Sequence, residues 1–519
     1  ADNYDIINSF EIELYDLLKN KKLYTINRCI GDIQNNKIVK GTKQLLQVFD
    51  ENEEQVYLEE FLDSESSILP LKSKRNNLNL GVLNLSGYLA TIEQIEKRKF
   101  YSEVDNAENL TLTKSEAFEI DENGVIVSYD SEVLSAEEKK KIVIPYELPF
   151  TNQNGTQKIK VTGINDNVFA NNNELETIVI PSTVVFLGIL KEPEGIEGQE
   201  KEITGIQIIG AFCNDTNLKK VVLNYGTSKI GTNCFWGCNN LAEFNFIDSI
   251  DEIGENAFRG CEKLSLVNCP TDLKKILAGT FRESGVNLVN LSKNLQRIDC
   301  YAFYKSKIVQ LETFSELQFI GEKAFSDNIG LNEIKIAEGL KQCNKEAFAN
   351  CSFTKVILPE SLDSLGIKIF ENCNKLEELT LPIVSINKIG DLFSETQSSV
   401  PSTLKKVNII ATENLPDYFF EGVGSLQEIV IADGLKKIGV GSFAGCKQLV
   451  KFNCPSTLEY ISDSAFQAEV VQGISSNVTV SMANLFAIDF SKIQSSHSFS
   501  IGKNIFKNRN NMKEIILPN

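Results

Sequence analysis

The sequence holds a single histidine, His497, and a single tryptophan, Trp236, among its 519 residues. Ser-His-Asp and Cys-His chemistry both need a base beside the nucleophile. His497 stands in the Ser-rich stretch "QSSHSFS" with no aspartate next to it, so histidine-based hydrolysis is disfavoured. Zinc fares no better, because Cys234-x-x-x-Cys238 has no second pair and no histidine nearby. Paired-carboxylate hydrolysis needs no histidine, and the 70 acidic residues leave it open. Basic charge is also short: 52 Lys and Arg against 70 Asp and Glu give a net charge of -18. Nucleic-acid binding rests on cations that neutralise phosphates, so nucleic acid is excluded as a partner. No apolar run approaches the roughly 20 residues that span a bilayer. The chain opens "ADNYD", with no initiator Met, no basic leader and no apolar leader core; a signal peptide already removed is the expectation. There is no Walker-type glycine loop, and no cofactor is expected.

What the sequence has in excess is repetition. "IGENAFRGCEKLSLVNCP" (253–270) returns as "IGVGSFAGCKQLVKFNCP" (438–455). Aligning on its phenylalanine gives Phe169, Phe212, Phe235, Phe258, Phe281, Phe303, Phe325, Phe348, Phe370, Phe393, Phe420, Phe443, Phe466 and Phe506. Ten of the thirteen spacings are 22 or 23 residues, and a period of that size is the signature of a stacked solenoid. The two long spacings imply insertions near 185–203 and 468–500, and a polar loop "SETQSSVPS" stretches a third.

Each unit reads Ile-Gly, x-x-Ala-Phe, x-Gly/Asn-Cys, x-x-Leu, then x-x-apolar-x-apolar-Pro. The last part, as in Leu376-Glu-Glu-Leu379-Thr-Leu381-Pro382, alternates with period two and predicts a short strand. The Ala-Phe part predicts one helical or 3₁₀ turn that returns the chain. The recurrent glycines Gly231, Gly254, Gly321, Gly390 and Gly439 are expected to serve turn geometry. A unit this short cannot bury its own apolar face, so units stack with strands parallel and the phenylalanines form a continuous spine. Residues 121–124, Asp-Glu-Asn-Gly, lie between Phe118-x-Ile120 and Val125-x-Val127, a hairpin signal that would cover the first unit. At the other end the repeat stops at Ile515-Ile-Leu-Pro-Asn519, an open unit that is expected to be covered by an oligomer contact or by further chain, or to end uncovered.

Ile320-Gly321 with Ala324-Phe325, and Phe370, Cys373, Leu376 and Pro382, carry a pattern that resembles the BspA-like class of leucine-rich repeat over about residues 118–519. The resemblance implies an α/β solenoid: a right-handed stack of 22–23-residue units with a parallel sheet on one face. It also implies bacterial or protozoan proteins that are secreted or displayed at the cell surface, some of them adhesins toward host extracellular matrix proteins. It supplies no catalytic residues. The expected organisation is a repeat solenoid over 116–519, preceded by a non-repetitive α+β or helical domain over 1–115. There Ile6, Ile7, Phe10, Leu14, Leu17 and Leu18 have helical spacing, and residues 51–65 read as an acidic helix.

Twelve cysteines invite a metal or disulfide reading. Cys238, Cys261, Cys351, Cys373 and Cys446 each follow the spine phenylalanine by three residues, and cysteine is readily buried, so inert thiols are expected. The neighbours Cys238/Cys261 and Cys351/Cys373 lie close enough for a bridge in an oxidising compartment.

The outward positions of the strands remain for function. The second residue after the repeat leucine runs Glu333, Lys355, Glu378, Lys406, Glu428 and Lys451. Its alternating sign predicts a structural charge ladder. The next outward column carries Asn245, Asn268, Asn290, Thr380, Asn408 and Asn453, expected to meet a protein or glycan partner. A non-enzymatic, adhesin-like binding protein is the leading reading; a hydrolase-type or processing activity in the N-terminal domain or the insertions is the alternative.

Overall fold

A computed structural model describes residues 111–191, 209–223, 226–394, 400–410, 412–468, 487–493, 499–509 and 514–516, together with the backbone of eight strands within 9–82. The chain divides into two compact units, Ala1–Leu110 and Thr111–Asn519.

In the first unit, Ser9–Asp16, Lys21–Ile30, Lys43–Phe49 and Gln55–Leu62 form one antiparallel sheet in chain order. Strands therefore replace the helices expected around Phe10 and Leu14 and over 51–65. The sequence explains why: Phe10, Ile12 and Leu14 alternate with Glu11 and Glu13, and period two competes with the helical spacing in so short a window.

The second unit is the expected solenoid. Phe118–Ile120 pairs antiparallel with Val125–Tyr129, so the hairpin forms, and the Tyr129 ring lies 4.9 Å from Phe169 at the start of the spine. A second hairpin, Glu147–Asn152 with Gly155–Lys160, turns at Gln153-Asn154. Thereafter each coil contributes a strand of the repeat's "Leu-x-x-apolar-x-apolar" type to a series of parallel ladders. The longest ladder runs through Lys355–Ile357, Glu378–Pro382, Lys406–Ile410, Glu428–Ile431 and Lys451–Asn453. Most coils also add a two-residue strand at the Ile-Gly position, such as Lys275–Ile276, Arg297–Ile298 and Phe319–Ile320, to a second series of parallel ladders, which the coil of Phe393 interrupts with the 3₁₀ segment Ile389–Leu392.

The spine forms as the period requires. Phe281, Phe303 and Phe325 are fully buried, with centroids 5.2 Å apart and rings within 12° of parallel. Stacking loosens over the coils ahead of the 27-residue spacing: Phe348 and Phe370 are 6.5 Å apart, and Phe370 and Phe393 are 6.3 Å apart and tilted by 43°.

The returning segment differs from expectation. It is a tight turn with left-handed residues two before and two after the phenylalanine, as at Asn256 (φ 52°) and Gly260 (φ 72°) around Phe258. Every second N–H is committed to the next coil: Phe235 N donates to Ala257 O at 2.7 Å, and Phe258 N to Thr280 O at 2.8 Å, while the N–H between them bonds back within the turn, as Arg259 N does to Asn256 O at 3.1 Å. Donors used between coils are not free for i→i−4 bonds, so no helix propagates. Among the described residues only short 3₁₀ segments occur, the longest being Ile389–Leu392.

The Ile-Gly glycines also have another role than expected. A Cβ on Gly254 would sit 2.5 Å from Thr232 N, and one on Gly439 would sit 2.6 Å from Asp417 N. Close approach to the preceding coil's backbone, not a left-handed φ, requires glycine there.

The insertion expected over 185–203 starts later, since Phe186–Leu187 is a ladder strand paired on both sides. Likewise Ala487–Asp489 and Ser500–Ile501, inside the span expected to be inserted at 468–500, pair as strands.

Candidate functional site: the strand face and its columns

Strand registry decides which outward side chains meet. Lys355, Glu378, Lys406, Glu428 and Lys451 are direct neighbours across four strand pairs. Lys355 Nζ lies 3.2 Å from Glu378 Oε2, and Lys406 Nζ lies 3.8 Å from Glu378 Oε1. Glu428 lies 3.7 Å from Lys406 and 3.6 Å from Lys451. Glu333 stands apart, paired with Lys335 of its own strand at 3.4 Å. Burial alone would raise the Glu378 carboxyl, but the ammoniums of Lys355 and Lys406 and the Asn408 amide outweigh it and hold it below its usual value.

The second column has two paired patches. Asn290 Nδ2 donates to Asn268 Oδ1 at 2.7 Å, and Asn408 Nδ2 donates to Thr380 Oγ1 at 2.9 Å. Between them the same face carries Glu312, Lys335 and Ile357, the last 52% exposed. Asn245 is exposed just past its strand Glu243–Phe244. Asn453 is exposed next to Val430, its amide 3.5 Å from Ile431 O.

The cysteine column serves the coil contacts. Cys238 Sγ donates to Phe212 O at 3.0 Å, Cys261 to Phe235 O at 3.2 Å, and Cys373 to Phe348 O at 3.2 Å. Where the column changes residue the bond persists: Ser306 Oγ to Phe281 O at 2.8 Å, Asn328 Nδ2 to Phe303 O at 2.8 Å, Arg509 Nε to Phe466 O at 2.5 Å. The position thus most often supplies a donor for the preceding coil's phenylalanine carbonyl, with cysteine its commonest solution, and only the coil of Phe420 among those described places an apolar residue, Val423, there. Cys238, Cys261, Cys343, Cys351, Cys373, Cys446 and Cys454 carry free thiols, and burial pushes the Cys343, Cys373 and Cys446 thiols up to about 12. A thiol that resists ionisation is a poor nucleophile. Among the described residues no group of three or more His, Cys, Asp or Glu is placed to hold a metal ion, and no helix is long and apolar enough to cross a membrane. His497, most of both insertions, and the side chains of 1–110 lie outside the described residues.

One cluster escaped the reading of the sequence. Arg259 stacks on Trp236 at 4.4 Å, and Arg282 sits between Tyr301 and Tyr304 at 5.2 and 5.3 Å. These residues occupy the turn edge of four successive coils. The position after each spine phenylalanine reads Trp236, Arg259, Arg282, Tyr304, so tabulating that column would have exposed it. Such residues are enriched at protein interfaces, and with both arginine side chains only 17% exposed each cation-ring contact contributes about 1–2 kcal/mol.

The repeat geometry agrees with sequence comparison. A model described as a BspA-type leucine-rich repeat region of six copies matches residues 88–189, 202–309, 296–414 and 413–519. Among solved structures, a leucine-rich cell-surface protein from Faecalibacterium prausnitzii A2-165 is similar, at 22% identity and TM-score 0.38, covering 76% of this chain and 95% of its own. A leucine-rich repeat protein from Bacteroides ovatus aligns at 20% identity and TM-score 0.39, covering 76% of this chain and 88% of its own. No curated protein matches the chain.

Proposed function

Since the chain belongs to the BspA-type leucine-rich repeat family, we propose that it is a non-enzymatic binding protein, secreted or displayed at a cell surface, whose strand face recognises a protein or glycan partner. The observation that carries the reading is the second outward column. Its amide and hydroxyl groups are fixed by neighbouring coils, as in the exposed pair of Asn290 on Asn268 at 2.7 Å and the half-buried pair of Asn408 on Thr380 at 2.9 Å. Groups held in position before binding lose less conformational freedom when a partner arrives. The flanking charge column, with Lys355 3.2 Å from Glu378, spends its charges internally, so recognition falls to hydrogen bonding and shape. Host extracellular matrix is the partner class favoured by the resemblance to surface repeat proteins.

The test is a binding panel of immobilised fibronectin, laminin, collagen and mucin glycans, probed with the full chain. Saturable binding to one of them supports the proposal. Absence of binding across the panel, by a chain whose melting transition shows it folded, would count against an adhesin role toward these ligands.

A further inference from the structure

Among the described residues this column holds two that are not donors, the apolar Val423 after Phe420 and the carboxyl-bearing Asp215. Asp215 follows Phe212 by three residues, the position from which Cys238, Cys261, Ser306, Asn328, Cys351, Cys373, Cys446 and Arg509 each donate to the phenylalanine carbonyl of the preceding coil. For Asp215 that carbonyl belongs to Phe169. A carboxylate has no hydrogen to give; a carboxylic acid has one. Asp215 is 0% exposed, and neither of its oxygens meets a donor at hydrogen-bonding geometry. An ionised carboxylate sealed this way would be severely penalised.

We infer that Asp215 is held in the fold as the neutral acid, its O–H donated to the Phe169 carbonyl, which makes the first coils of the solenoid a proton-sensitive element. Tyr129 is close by with its own hydroxyl buried and unpartnered, and Asp215, Asp130 and Glu174 all act on it with negative charge. Glu174 has its counter-charge elsewhere, in Lys139 at 3.4 Å. On the other side lies the Cys238 thiol, a buried neutral group. Burial raises the Asp215 carboxyl to about 8, against a smaller opposing pull from the N–H groups of Leu218 and Asn217.

The sign follows from the raised folded value. An unfolded aspartate ionises near about 3.9, so the folded state holds the extra proton between about 4 and 8. The contribution of Asp215 is complete below that window and is lost as pH rises through it.

The experiment compares the full chain with Asp215→Asn, whose amide can make the same donation as Asn328. Hydrogen exchange in residues 163–223 is measured for both proteins at matched pH from 5 to 8, so that the intrinsic pH dependence of exchange cancels. The local opening constant of the unaltered chain should rise relative to the variant by up to about tenfold per pH unit. An infrared band of a protonated, buried carboxyl should be present in the unaltered chain at pH 6 and missing from the variant. A wild-type-to-variant ratio that does not change with pH, or absence of that band at pH 6, would overturn the inference. The infrared measurement on the unaltered chain decides the matter even if the variant folds poorly.

Discussion

Phe303→Ala tests the stacking that organises the solenoid. Phe303 is 0% exposed and lies between Phe281 and Phe325, 5.2 Å from each ring and within 12° of parallel. Removing a buried phenylalanine costs about 3–5 kcal/mol in lost transfer energy and cavity formation. Each stacked pair adds about 0.5–1.5 kcal/mol beyond its buried area, and this site loses two, so the upper half of the range is expected. Phe393 provides the internal control. It is equally buried, at 2%, but its ring contact among the described residues is the tilted one with Phe370 at 6.3 Å. Phe393→Ala loses one ring contact rather than two and should therefore cost less than Phe303→Ala by about 0.5–1.5 kcal/mol, one aromatic pair. The assay is urea unfolding followed by the single tryptophan, Trp236, whose coil lies three coils from Phe303, and by circular dichroism for the chain as a whole. Long repeat arrays can lose cooperativity, so both probes are needed: Trp236 should report the loss only if neighbouring coils unfold together. Equal costs for the two variants, or a Phe303→Ala cost below about 1 kcal/mol, would refute the view that ring-on-ring stacking holds the coils in line.

Two further substitutions separate the parts of the repeat. Glu378→Lys places three like charges in the column and removes contacts of 3.2 and 3.8 Å; at about 0.2–1 kcal/mol per exposed pair, plus repulsion of similar size, the loss should be about 1–2 kcal/mol. Because salt screens such charges, the drop in melting temperature should shrink at high ionic strength, and an unchanged melting temperature at low salt would remove the ladder from the account. Gly439→Ala forces a methyl group to within 2.6 Å of Asp417 N and should cost about 1–3 kcal/mol as overpacking. Gly424→Ala, with nothing within 4 Å of the new methyl group, should stay within about 0.5 kcal/mol of the parent; equal effects in denaturant titrations would contradict the close-approach role.

The period, the spine and the opening hairpin could be read in the sequence because burial repeats: the same apolar residues return every 22 or 23 positions. The turns could not, because tertiary contacts override local preference. Tyr301, Lys323 and Glu346 adopt the left-handed conformation at φ 56°, 53° and 55°, which non-glycine residues seldom take. The inter-coil bonds, such as Phe303 N to Ala324 O at 2.8 Å, hold them there. In the N-terminal unit the failure was one of period, since Phe10 and Leu14 satisfy a helical spacing while Phe10, Ile12 and Leu14 satisfy an extended one. The outward columns were legible as registers, and the neighbours of Glu378 and Asn290 stand where counting from the repeat leucine puts them. Asp215 was overlooked because the column was read as a cysteine column rather than as a column of donors. The Trp236, Arg259 and Arg282 edge was missed because only the strand positions were tabulated.

The central functional claim, recognition through the second outward column, is tested most directly on whichever panel ligand binds. The variant is Asn268→Ala, Asn290→Ala, Thr380→Ala and Asn408→Ala combined, measured by equilibrium titration beside the parent chain. All four side chains lie on the solvent side of their strands, and two hydrogen bonds of 2.7 and 2.9 Å join them in pairs. A loss of at least about tenfold in affinity, equivalent to about 1.4 kcal/mol, with an unchanged melting temperature, is the predicted result. Undiminished affinity in the folded variant would contradict it and move the binding surface elsewhere on the solenoid.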